Sequence, residues 1–452
     1  MAESSKPILV FCATPADGHV GPLTAIAKNL VNRGFEVIFI TGDSFQSKIQ
    51  GIGATFSPLL GKANFSIATV NSLFPGQDKA PPPSGPHRLV HALLYVFVKQ
   101  IPEQHETVQA VLHEIKSTRP NRKIILLVDF SFAGTLPILY GAPGLRPDGT
   151  IFLGIAPLFL TALHIPPGGL GLSYDTSPAG LERNKVQYKY RNEELFSEVN
   201  SHVRAIFKQL GAQEEPDFIL EMPVLKSDRY LQLCIPSLEY PHPNPPPALR
   251  FVGSLPTGHR DDGKEKPAWW DDVVNVAKKR IVGVSQGTAN VTFSKLIIPT
   301  MEALANADDV LVVVALGRKG AALPEGTVIP ANARVADYIP FDDLLPFTDV
   351  FVTNGGYGGY QHCASHGVPM IVAGMAADKP EVASRVEWAG IGLNLQTDEP
   401  TVQAIKGSVD TILGDDKYRR RAQELQKEMG EYDTFSLIEK NIKEVAEART
   451  EI

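Results

Sequence analysis

Val350-Phe351-Val352-Thr353-Asn354-Gly355-Gly356-Tyr357-Gly358-Gly359 opens the most informative part of the chain. A helix-length run over 360–365 follows, then His366-Gly367-Val368-Pro369 and a second apolar run, Met370-Ile371-Val372. The pattern reads as buried strand, glycine-rich turn, helix, strand. Four glycines between a strand and a helix let backbone N–H groups and the positive helix end approach an anion closely. No acidic residue stands about 20 positions on at a strand end, as a dinucleotide fingerprint requires; Asp378 follows a strand at a different spacing.

Working outward, further short apolar runs recur at 8–12, 37–40, 124–128, 281–284 and 310–315. Uninterrupted rather than alternating runs suit strands covered on both faces. Between them lie helical patterns such as Leu23, Ile26, Ala27, Leu30 and Val31, stopped by Gly34. The pattern occurs once in each half, which predicts α/β architecture: two Rossmann-like domains with parallel sheets facing across a cleft. The expected division is an N-terminal domain over 1–240, a Pro-rich linker over 241–266 and a second domain over 267–430. A C-terminal helix over 431–452 has one apolar face and should pack on something. A second Pro-rich segment, 79–86, reads as a loop beside a pocket.

Composition narrows the function. The 452 residues suit two or three domains at about 150 each. Lys plus Arg number 43 against 50 Asp plus Glu, a net charge of −7 with no basic stripe, which argues against a nucleic-acid partner. The longest apolar stretch, 151–163, is broken by Gly154 and Pro157 and is too short for a membrane span. Three scattered cysteines, Cys12, Cys234 and Cys363, read as small buried hydrophobes in a reduced compartment, with no metal-ligand spacing. A cytoplasmic location is the expectation.

In an open α/β sheet ligands bind beyond the carboxyl ends of the strands. The first strand runs into Ala13-Thr14-Pro15-Ala16-Asp17-Gly18-His19-Val20-Gly21-Pro22, with a helix expected from about Pro22, so Gly18 and His19 lie over the crevice. An imidazole there can accept a proton near neutral pH. Asp129 ends the run 124–128 and is placed to fix the tautomer of that base; the plainer reading is a helix cap. In the second half, Ser285-Gln286-Gly287-Thr288 offers small donors to a phosphate. Gly283-Val284-Ser285-Gln286-Gly287 also matches a serine-hydrolase elbow, with Asp349, His362 and His366 downstream. An elbow needs a helix directly after the serine, whereas helical periodicity resumes only near Lys295, with Ser294 as its expected cap.

Taken together, the Asp-Gly-His loop at 17–19, Val128-Asp129, the loop 285–288, Asp337-Tyr338-Ile339-Pro340, the run 353–359, Ser365-His366-Gly367-Val368-Pro369 and Ala377-Asp378-Lys379 resemble the family-1 nucleotide-sugar glycosyltransferases of GT-B fold. The likeness is greatest to the microbial macrolide-type and fungal branch and covers nearly the whole chain. It implies His19 as general base and Asp129 as its partner in an inverting transfer of a hexose, glucose by expectation, from a UDP-sugar to a small lipophilic hydroxylated acceptor. It places the base of the donor at Tyr338 and Ile339, and its phosphates at Asn354, Gly355, Gly356, Tyr357, Gly358, Gly359 and the 285–288 loop. The ribose falls at His362 and the sugar at Asp378 and Lys379. No metal or other cofactor is implied. The C-terminal helix should cross back onto the first domain. Asn354 replaces a histidine, His362 a glutamate and Lys379 a glutamine of other members. The acceptor is expected against Phe65, Phe74, Tyr95, Phe97 and the loop 157–171, residues that equally suit a core. Two other classes remain as alternatives: a nucleotide-sugar-binding protein without turnover, and a serine hydrolase using Ser285.

Overall fold

The computed structural model describes residues 6–66, 68–74, 85–255, 266–275, 279–287 and 292–448. Seven strands build the first sheet: β1 (Ile8–Cys12), β2 (Glu36–Thr41), β3 (Thr55–Pro58), β4 (Ile124–Asp129), β5 (Gly149–Gly154), β6 (Arg229–Gln232) and β7 (Leu249–Phe251). Six build the second: β8 (Arg280–Ser285), β9 (Val310–Ala315), β10 (Ala333–Ala336), β11 (Val350–Thr353), β12 (Met370–Val372) and β13 (Gly392–Asn394). Among the described residues every pairing is parallel. The orders are β3-β2-β1-β4-β5-β6-β7 and β10-β9-β8-β11-β12-β13. Both reverse direction once, between β1 and β4 in the first sheet and between β8 and β11 in the second. Such a reversal opens a crevice at the carboxyl edge, because the helices following the two strands pass to opposite faces.

Apolar residues on both faces of each central strand explain the uninterrupted runs. Val10 and Cys12 of β1 face one core, Leu9 and Phe11 the other. The helix Thr434–Ala448 returns to the first domain, where Ile438, Ile442 and Val445 join Leu9, Phe11 and Ile125. A Cβ on Gly149 would stand 2.2 Å from Val445 Cγ1, so β5 starts with the one residue that lets this helix lie against it.

Several boundaries differ from the sequence reading. The stretch 241–266 contains β7, which pairs with β6; three residues of an edge strand among prolines carry too little pattern to be seen. The preceding segment, with Cys234, Ile235 and Leu238, leaves the first sheet and packs in a core of the second domain. Residues 256–265 lie outside the described residues, as do 79–84 of the second Pro-rich segment. The first helix is Asp17–Asn32 and not one starting near Pro22. Pro22 lies inside this helix, where it removes the N–H that would reach the Gly18 carbonyl and its ring crowds that carbonyl; the helix runs through it without that bond. Likewise Tyr357–Ser365 is one helix, its first turn made by the glycine-rich segment itself. Ser294 sits in a 3₁₀ turn, Phe293–Lys295, and the next helix is Ile297–Leu304, so it is not that helix's cap.

Candidate active site

The topology sets His19 beside Asp129. Cys12 of β1 is in register with Val128 of β4, so the residues just beyond both strands meet at the switch point. His19 Nδ1 lies 2.8 Å from Asp129 Oδ2, and the Ser131 hydroxyl lies 3.0 Å from the same nitrogen. Asp129 also accepts from the Ser131 hydroxyl at 2.7 Å and from the Thr14 N–H at 3.3 Å. A fully buried carboxylate needs such partners. With Nδ1 occupied, Nε2 is the ring nitrogen left for a ligand, and the side chain keeps 22% exposure while Asp129 has none. Burial pulls the His19 pKa down, but the charge and hydrogen bond of Asp129 outweigh it, and the pKa stands above that of an ordinary histidine. Burial in turn pushes Asp129 up, and the His19 contact more than reverses this. Both shifts favour an imidazolium–carboxylate pair.

The second switch point supplies the opposite wall. Asn354, just past β11, donates its side-chain N–H to the Gln286 carbonyl, just past β8, at 2.6 Å. The two loops are thereby tied together. The Gln286 side chain accepts from the Ile297 N–H at 3.3 Å and donates to the Thr292 carbonyl at 3.2 Å. Gly355 has φ +81°, and a Cβ there would meet Val372 Cγ1 at 2.5 Å. Nothing stands within 4 Å of a Cβ built on Gly356 or Gly358, so the space at the start of the helix Tyr357–Ser365 is open. The first N–H groups of a helix lack intrahelical acceptors and carry its positive end. Asp378 and Lys379 close this wall. Burial raises the Asp378 pKa against the pull of Lys379 and lowers that of Lys379 against the pull of Asp378. Asp378 also contributes to the rise at His19, so the two walls face each other electrostatically.

A cleft of about 730 Å³ lies between them. Of the residues expected from the sequence, Gly18, His19, Gln286, Gly287, Asn354, Gly356, Tyr357, Gly358, Asp378 and Lys379 line it. His362 instead lines a second cavity of about 680 Å³, which also touches Gly18, Tyr357 and Gly358. Ser285, Gly355 and Ile339 are buried, Tyr338 is 38% exposed, and neither these four nor Gly359 lines either cavity. Thr288 lies outside the described residues.

Beside His19 the cleft is apolar. The ring of Phe97 lies 6.0 Å from the imidazole and that of Phe130 lies 6.1 Å from it, centroid to centroid. Leu89, Leu93, Phe159 and Ile219 continue this wall. Phe97 belongs to a π-helical turn, Leu93–Phe97, that follows the helix Pro86–Ala92. Phe74 stacks on His91 and contacts Tyr95, and these three, like buried Phe65, do not line the cleft. Within 157–171 only Phe159 lines it. The Gly169 and Gly171 N–H groups donate to Glu381 of the second domain, both at 2.8 Å, so this loop anchors the domains. Phe130 and Ser131 escaped the sequence reading, although they directly follow Asp129 at a strand's carboxyl end, where ligand contacts concentrate.

The hydrolase alternative fails on geometry. The Ser285 hydroxyl is buried and accepts from the Gly287 N–H at 3.2 Å. Asp349 sits at the opposite edge of the sheet, accepting from the Ile281 N–H at 2.8 Å where β8 begins. His362 and His366 face Asp342.

A family model described as "Erythromycin biosynthesis protein CIII-like, C-terminal domain" matches residues 299–444. The chain is 40% identical to UDP-glucosyltransferase B1 of Starmerella bombicola over 446 residues, 98% of this chain and 99% of that one. It is 30% identical to 4'-demethylrebeccamycin synthase of Lentzea aerocolonigenes, covering 94% and 96% of the two chains. Among solved structures, the calicheamicin glycosyltransferase CalG4 superposes with a TM-score of 0.69 at 17% identity, over 98% of each chain. Among the described residues no helix is long and apolar enough to cross a membrane. Two facing Rossmann-like domains, and relatives that align over nearly their whole length, identify the chain as a family-1 UDP-glycosyltransferase of GT-B fold.

Proposed function

We propose that the protein transfers a hexose, glucose by the names of its relatives, from a UDP-sugar to a hydroxyl of a small lipophilic acceptor such as a phenol, polyketide or sterol, with inversion at the anomeric carbon. The observation that carries this reading is the His19–Asp129 contact of 2.8 Å beneath an apolar wall and opposite an open helix N-terminus. The acceptor lies against Phe97 and Phe130. Its hydroxyl gives its proton to His19 Nε2 as the oxygen attacks the anomeric carbon. The bond to the diphosphate breaks on the far side, and Asp129 stabilises the imidazolium. One displacement needs one base and no enzyme nucleophile.

The departing diphosphate carries the new charge. It is met by the N–H groups of Gly356, Tyr357 and Gly358, the helix dipole and the second side-chain N–H of Asn354, donors fixed before reaction, with the Gly287 loop beside them. Losing one such donor elsewhere costs about 3 kcal/mol. On this reading transfer needs no metal. Asp378 and Lys379 hold sugar hydroxyls, Tyr338 and Ile339 the base, and His362 the ribose. Acceptors of the secondary-metabolite or xenobiotic type suit the apolar wall.

The test is to incubate the purified protein with a mixed panel of phenols and several UDP-sugars and read products by mass spectrometry. A hexose mass added to a phenol with UDP-glucose is the expected result. No adduct from any UDP-sugar, with UDP bound, contradicts it.

A further inference from the structure

One side-chain cluster overlaps the reaction just described only at His362. His362 and His366 are four residues apart at the end of the helix Tyr357–Ser365, so they stand one above the other on a single face. Their rings stack with centroids 6.5 Å apart. Asp342, on the short helix Phe341–Leu344, faces both. Its Oδ1 is 3.2 Å from His362 Nδ1 and 3.7 Å from His366 Nε2, and one ligand atom from each of the three residues falls within 4.8 Å of the others.

This is the donor set and spacing of a borderline divalent cation. Two histidines at His-x₃-His spacing with one carboxylate suit Zn²⁺ or Co²⁺, and leave positions for water. Tetrahedral ligands about 2.1 Å from Zn²⁺ stand roughly 3.4 Å from each other, so the two Asp342 contacts bracket that edge and the remaining pair needs to close by at most about 1.4 Å. A second feature points the same way. His366 Nδ1 donates to the His362 carbonyl at 2.8 Å, which makes Nε2, the nitrogen facing Asp342, the one with the lone pair. A backbone carbonyl on the other ring nitrogen is the usual orienting contact of a metal-bound histidine. Asp342 and His366 are 13% and 12% exposed while His362 is 38% exposed, so the cluster is shielded on two sides and open on the third.

We propose that Asp342, His362 and His366 bind one divalent transition cation of the Zn²⁺ class, with water completing its coordination on the open side. The ion would clamp the segment carrying Ile339 and Phe341 to the helix Tyr357–Ser365. It shares His362 with the ribose contact of the proposed reaction, so the test reads metal alone, without nucleotide.

Tag-free protein stripped with chelator is titrated with CoCl₂ and followed by its visible ligand-field bands. Saturation at one Co²⁺ per chain is expected, with bands of four- or five-coordinate intensity that vanish on adding Zn²⁺. The bands should be lost in His366→Gln and in Asp342→Asn. Zn²⁺ should raise the Tm of the natural protein and leave that of both variants unchanged. Should Asp342→Asn fail to fold by circular dichroism, the more exposed His362→Gln carries the same comparison. No saturable band, or equal uptake by the variants, overturns the proposal and leaves a plain Asp–His ion pair.

Discussion

Arg385 and Glu239 meet across the domain boundary in an Nε–Oε2 contact of 2.6 Å, with side chains only 2% and 1% exposed. Arg385 also bonds Glu381 at 3.1 Å and donates to the Leu158 carbonyl at 2.9 Å. Glu239 accepts from the Leu158 N–H and the Tyr357 hydroxyl, both at 3.1 Å. The helix Lys379–Trp388 is thus fastened to the loop after β5, and Tyr357 of the glycine-rich turn is held by the same carboxylate. Removing one partner of a buried pair strands the other's charge, which typically costs about 3–5 kcal/mol. Arg385→Ala is expected to lose that much in urea unfolding, and a loss within experimental scatter of zero contradicts the latch.

Acceptor contacts should be separable from donor contacts. Phe130→Ala removes half of the aromatic wall beside His19 and leaves the second domain untouched. Burial of such a side chain contributes about 1.5–3 kcal/mol. The expected outcome is an acceptor KM raised on the order of tenfold or more with the UDP-sugar KM unchanged. Steady-state kinetics with each substrate varied in turn checks this, and a matching rise in donor KM contradicts it.

Gly358→Asp separates folding from binding. A carboxylate in the first turn of a helix stabilises it by about 0.3–1 kcal/mol, and the space at this position is open. The same charge repels a diphosphate at the helix end. Calorimetry should show Tm unchanged or raised and UDP affinity lowered at least about tenfold. Unaltered UDP affinity would place the nucleotide elsewhere.

Much of this arrangement was legible in the sequence, for one physical reason. Parallel strands covered on both faces must be apolar throughout, so β1, β4, β8, β9, β11 and β12 announce themselves, and ligand contacts gather just past their ends. Asp129 ends β4, and His19, Gln286, Asn354 and Asp378 come after β1, β8, β11 and β12. Features that depend on meetings distant in sequence were not legible. Arg385 and Glu239 stand 146 residues apart and belong to no local pattern. Tyr338 and Ile339 were placed by resemblance to relatives, and neither borders the two cavities. Pro22 looks like a first-turn residue although the helix begins at Asp17, and β7 is too short to show.

The pH profile carries the electrostatics of the base. His19 accepts a proton only when neutral, and Asp129 holds its pKa above the ordinary histidine value. The acid limb of kcat/KM therefore lies above that value. Asp129→Asn removes the charge, so the limb moves to lower pH while the plateau falls. A limb that stays in place in this variant contradicts the coupling.

Most direct is His19→Ala, assayed for glucoside formation and, by calorimetry, for UDP binding. Turnover is expected to fall by about 10²–10⁴-fold, the contribution of a positioned general base, while UDP affinity is retained. Undiminished turnover, or a loss of UDP binding as large as the loss of rate, would contradict proton transfer to this imidazole.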